Sequence, residues 1–153
     1  YKRQVDKAVI VYESVWKHTQ MMAEALAEGM GRNGICVKIF KCSMTSPAII
    51  QKELLDAKAV LVGSGNYNNA MAGSIAAFLE KLITCKVKNK KGLGFGSYGW
   101  ANLVTKEINA RLGKAGITLL NDEIVSQNYT PSEADLDALM ELGKQIAEEI
   151  KAM

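Results

Sequence analysis

The chain has 153 residues, 48% of them hydrophobic and 23% charged, with a net charge of +3; this fits one domain with enough apolar residues for a core. Its 19 Lys and Arg are interspersed with 16 Asp and Glu, a mixed surface that excludes the one-faced basic stripe needed to grip nucleic acid. One His and three Cys without a CxxC pair fall short of a zinc site, no apolar run nears the roughly 20 residues of a membrane span, and free thiols favour a reducing, cytoplasmic setting.

Short apolar runs alternate with helix-length amphipathic stretches. Residues 7–153 are read as one domain. Residues 8–12 form a continuous apolar run, as expected of a strand covered on both faces. Residues 19–31 follow as a helix, with Met22, Ala23, Leu26, Ala27 and Met30 at helical spacing and closing glycines that suit a C-cap. A second strand is expected over 37–40. Ser46 as N-cap and Pro47 in the first turn then open a helix through Leu55. Residues 59–63 make the third strand and 71–82 the third helix, with Ile75, Phe78, Leu79 and Leu82 on one face.

The basic run Lys86-Val87-Lys88-Asn89-Lys90-Lys91 reads as a solvated loop at the amino-terminal edge of the sheet. Residues 92–96 are a glycine-rich fourth strand, which implies something bulky close to its backbone. A fourth helix over 102–114 turns Val104, Ile108 and Leu112 inward and closes at Gly116. Residues 117–125 supply the fifth strand. Thr130-Pro131-Ser132 leads into a last helix that points Leu136, Leu139, Met140, Ile146 and Ile150 inward.

Five βα units in strict alternation predict a parallel sheet with helices on both faces, in strand order 2-1-3-4-5. Loops at the carboxyl ends of such strands gather on one edge, where ligands bind. Three of them carry small polar residues with a Trp or Tyr: Ser14, Val15, Trp16, Lys17, His18 and Thr19 after strand one; Ser64, Asn66, Tyr67, Asn68 and Asn69 after strand three; Ser97, Tyr98, Gly99 and Trp100 after strand four. The first enters a helix N-terminus, where backbone N–H groups and the helix dipole suit a phosphate, and Ser14 and Thr19 add hydroxyls. The alternative role for either residue is a plain helix cap. Asn side chains in the second loop offer both donors and acceptors to a uracil-like ring edge. An anion loop with two aromatic loops fits a flat phosphorylated cofactor, flavin mononucleotide (FMN). No catalytic side chain and no metal site are expected.

Gly94-Phe95-Gly96-Ser97-Tyr98-Gly99 formally satisfies GxGxxG, but a dinucleotide fold places that motif in its first βα turn. A phospho-receiver domain needs a carboxylate cluster at these strand ends, and there Glu13 stands alone.

Tyr12-Glu13-Ser14-Val15-Trp16, Gly63-Ser64 with Tyr67-Asn68-Asn69, and Phe95-Gly96-Ser97-Tyr98-Gly99-Trp100 resemble the flavodoxin-like domain of flavodiiron proteins, over nearly the whole chain. The resemblance implies a flavodoxin-like three-layer α/β sandwich around a five-stranded parallel sheet. It implies FMN held by the first loop at its phosphate and by the other two at its ring. It also implies an electron-transfer module of an oxygen or nitric oxide reductase, whose partners are a di-iron domain of the same or a neighbouring subunit and a rubredoxin-like or flavin reductase donor. The di-iron domain itself is missing from the sequence, which starts at Tyr1 and reads as an excised or truncated domain, with residues 1–6 as a remnant of the inter-domain linker that Tyr1-Lys2-Arg3-Gln4 resembles. Lys17 stands where glycine is usual in that family. The rival expectations are a stand-alone FMN-dependent NAD(P)H:quinone reductase and a cofactor-free protein-binding module.

Overall fold

The computed structural model describes residues 4–14, 17–65, 67, 70–85, 87, 89–98, 103–120, 125–128 and 131–153. Its elements run β1 (Val5–Glu13), α1 (His18–Gly31), β2 (Cys36–Lys41), a 3-10 turn (Cys42–Met44), α2 (Pro47–Leu54), β3 (Ala57–Ser64), α3 (Gly73–Cys85), β4 (Lys91–Tyr98), α4 (Leu103–Lys114), β5 (Thr118–Leu119), β6 (Val125–Asn128) and α5 (Glu133–Lys151). The strands pair in the order β2-β1-β3-β4-β5, all parallel, and β6 also pairs with β4. This is the flavodoxin-like α/β fold expected from the alternation.

Alternation along the strands separates two cores. Ala8, Ile10 and Tyr12 of β1 join Leu61, Leu93 and Phe95 beneath α1 and α5. Val9 and Val11 join Val60 and Val62 beneath α2, α3 and α4. The middle of a strand covered on both faces is apolar, which is why residues 8–12 of β1 read as an unbroken apolar run. The inward faces expected of α3 and α4 are buried as expected.

The fifth strand departs from expectation. Instead of one run over 117–125, two short segments share the position: β5 pairs with Lys91 and Gly92, and β6 pairs with β4 from Phe95 onward. Between those stretches the amide of Gly94 donates instead to Asn109 Oδ1 at 2.8 Å. A side chain of α4 thus supplies the acceptor there, because an unmet buried N–H is costly. The same helix explains one of the strand's glycines: a Cβ on Gly94 would lie 2.7 Å from Ile108 Cγ2.

Three local expectations are corrected. Lys90 is not part of a solvated loop; it is 9% exposed, and its Nζ donates to the carbonyls of Leu54 and Ala57, each at 2.6 Å. Ser46 occupies the N-cap position of α2 but makes no side-chain cap hydrogen bond. The glycines at the end of α1 lie within the helix, and the left-handed turn that follows uses Gly34, at φ 88. Ser132, by contrast, makes a full capping box with Asp135 at the start of α5.

Candidate functional site

Register brings the three loops together. Glu13 pairs with Ser64, and Ser64 pairs with Gly96. The ends of β1, β3 and β4 therefore stand in one row, and their loops leave the sheet side by side.

In the first loop, Ser14 is buried. Lys17 then adopts a left-handed conformation, φ 66 and ψ −2, directly before the helical His18. A left-handed residue next to a right-handed one turns successive N–H groups toward one point, an anion-binding concavity. Lysine at the N-cap has no acceptor to offer and makes no side-chain cap hydrogen bond, a position that anion oxygens can take. Glycine would hold this φ without steric cost, which accounts for the family's preference there. Thr19 is buried in the first turn and His18 half-buried. Val15 and Trp16 lie outside the described residues.

The second loop is shaped by its own hydrogen bonds. Ser64 is fully buried; its hydroxyl donates to Gly65 O at 2.8 Å and accepts from Ala72 N at 3.0 Å. Tyr67 and Ala70 exchange two backbone bonds, at 2.8 and 3.1 Å, closing the tip. The Tyr67 side chain is half-buried against the core of the α2–α4 face. Asn66, Asn68 and Asn69 lie outside the described residues. In the third loop, the backbones of Ser97 and Tyr98 end β4, paired with Gln127 and Asn128. Gly99 and Trp100 are outside the described residues.

Sequence reasoning passed over Glu13 as an isolated carboxylate. It accepts hydrogen bonds from Ser43 N at 2.8 Å, Ser43 Oγ at 3.0 Å and Ser74 Oγ at 3.0 Å. Burial alone would raise its pKa, but the bonds from Ser43 and Ser74 outweigh that and hold it below the ordinary 4.5. Its partners are 30 and 61 residues away, so no local pattern signals them.

An acid-limb prediction follows. Glu13 and Asp135 both titrate below their ordinary values when folded. Each therefore contributes stability that is present above its unfolded pKa and is lost as pH falls through the folded one. Stability should decline once pH drops below the ordinary 4.5 of Glu13, and Glu13→Gln should flatten that decline in acid denaturation. An equally steep decline in the variant would remove Glu13 from the account.

A cavity of about 700 Å³ lies elsewhere, at the amino-terminal edge of the sheet, lined by residues including Leu54, Leu55, Leu82 and Lys90. No helix among the described residues is long and apolar enough to cross a membrane.

Comparison with known proteins agrees with this geometry. The family described as Flavodoxin matches residues 10–143. A nitric oxide reductase of Moorella thermoacetica is 40% identical over 144 residues, which are 94% of this chain and 36% of that protein. The solved rubredoxin oxygen:oxidoreductase of Desulfovibrio gigas superposes with a TM-score of 0.91 at 32% identity, covering 98% of this chain and 37% of that one. A flavodoxin from the domain Archaea aligns over nearly its whole length, 99%, and over 95% of this chain, with a TM-score of 0.86 at 29% identity. The chain thus spans about a third of the length of the reductases it matches. It belongs to the flavodoxin family, as a domain homologous to the flavodoxin module of flavodiiron proteins.

Proposed function

We propose that the chain is an FMN-binding electron-transfer domain, the flavodoxin module of a flavodiiron-type oxygen or nitric oxide reductase. The observation that carries this reading is the row Glu13–Ser64–Gly96, from which an anion-binding loop and two loops rich in aromatic and amide side chains depart together. The residues fit the cofactor. A phosphate suits the concavity at Lys17 and the start of α1, with Ser14, His18 and Thr19 around it. The planar ring suits the loop of Tyr67, Asn66, Asn68 and Asn69, and Ser64 shapes that loop from below. Ser97, Tyr98, Gly99 and Trp100, with Val15 and Trp16, would complete the enclosure.

FMN supplies the one- and two-electron redox chemistry. The chain's own task is to hold, orient and shield it. Aromatic side chains exclude water from the ring, and the neutral amides of the second loop set no carboxylate of their own beside a reduced flavin. In the whole protein the domain, whose first strand opens at Val5, would pass electrons from a rubredoxin-like or flavin reductase donor to a di-iron domain of the same or a neighbouring subunit. A cytoplasmic location suits its free thiols, Cys36, Cys42 and Cys85.

Two substitutions test the site by flavin titration. Tyr67→Ala should weaken FMN by about 1–3 kcal/mol, the range for a base stacked on an aromatic ring. Ser14→Ala should weaken FMN more than riboflavin, because only FMN carries the phosphate. Unchanged affinities would take these residues out of the site. Rapid NAD(P)H oxidation by the FMN-loaded chain alone would replace this reading with a quinone reductase.

A further inference from the structure

The hydrogen bonds around Glu13 form a closed circuit. Its backbone carbonyl accepts from Gly65 N at 3.4 Å, at the start of the Tyr67 loop. The Ser64 hydroxyl links Gly65 to Ala72. Ser74, two residues further on, returns to the Glu13 carboxylate, which also holds Ser43 after β2. One residue thus secures both ends of the loop that carries Tyr67. The next residue in the chain is Ser14, which begins the anion loop. Two features keep the carboxylate ionised in this place: three donors converge on it, and it lies at the N-terminal turn of α3, where the helix dipole favours negative charge.

From this circuit we propose that Glu13 is the positioning residue that sets the spacing between the phosphate loop and the ring loop, so that one cofactor engages both at once. The inference rests on the FMN reading above. A ligand that spans two loops gains from having them fixed in advance, whereas a ligand held by one loop gains little. Loosening Glu13 should therefore cost FMN more than riboflavin, which has no phosphate to span with. General destabilisation would weaken both alike.

The test is flavin-fluorescence titration of the native chain, Glu13→Gln and Ser74→Ala with FMN and with riboflavin. Gln keeps the shape but removes the charge and one of the two acceptor oxygens that Ser43 and Ser74 share. Glu13→Gln should raise the FMN dissociation constant about tenfold or more, the loss of one charge-assisted bond or so, with a smaller change for riboflavin. Ser74→Ala removes a single bond without altering charge, and it should shift the FMN-to-riboflavin preference the same way by a smaller factor. It keeps the test open if Glu13→Gln folds poorly. The double variant should lose less preference than the two single changes summed, since the Glu13–Ser74 bond is common to both. A preference equal to that of the native chain in both variants would overturn the inference and leave the FMN reading standing. A native chain that binds neither flavin would overturn both.

Discussion

Gly29→Ala is expected to destabilise the chain by about 3 kcal/mol, near the upper end of the usual cost of overpacking. A Cβ at this position would lie 2.1 Å from the carbonyl oxygen of Met140 in α5 and 3.1 Å from Gly143 Cα. These are backbone atoms of a second helix, so no rotamer change relieves the clash. The helices would have to part, and with them the core formed by Met22, Leu26 and Met30 on one side and Leu139, Ile146 and Ile150 on the other. Gly31→Ala is the control. It sits two residues along the same helix, and a Cβ there meets nothing within 4 Å. Alanine's better helix propensity should make that change neutral or stabilising, by up to about 1 kcal/mol. Denaturant unfolding of the pair reads the contrast directly; equal midpoints would mean that α1 and α5 are not in this close contact.

Phe95→Ala carries the other large effect, about 3–5 kcal/mol for emptying a fully buried aromatic site. Phe95 is 0% exposed and pairs with Gly63 in the sheet register. Its ring occupies the space where a Gly63 side chain would be, with Cε2 and Cζ 2.3 and 2.4 Å from the position of a Cβ. Gly63→Ala alone should therefore also destabilise, by overpacking. Combined, the two changes should cost less than their sum, because the added methyl enters space the ring has vacated. One step further along the strands lies the Ser64–Gly96 pair from which two of the cofactor loops depart. Phe95→Ala should accordingly weaken FMN as well as the fold. Strict additivity in the double variant would mean that ring and glycine do not share this space.

The fold was legible in the sequence where burial is two-sided. Runs such as 8–12 and 59–63 are apolar throughout, so they announce central parallel strands, and their alternation with helices calls for a parallel sheet covered on both faces. Legibility stopped where a residue's role is set by distant backbone. Lys90 sits in a run of lysines that reads as solvated, yet its amine meets the carbonyls of Leu54 and Ala57, more than 30 residues away. Gly29 resembles a helix terminator until α5 is packed against it.

The site divides in the same way. Small polar residues beside aromatics after strands one, three and four marked three loops as the candidate site. Register then added what composition cannot hold, namely that Glu13, Ser64 and Gly96 lie abreast. The left-handed Lys17 was foreshadowed only as a departure from a family glycine. Glu13 looked isolated because Ser43 and Ser74 reach it from other elements.

The central claim is that the carboxyl edge of this sheet holds FMN, and titrating the purified chain into free FMN while following flavin fluorescence tests it most directly. The account predicts saturable quenching at a single site, with riboflavin binding more weakly. Fluorescence that stays unchanged at high protein concentration, from a chain whose circular dichroism shows it folded, would contradict it.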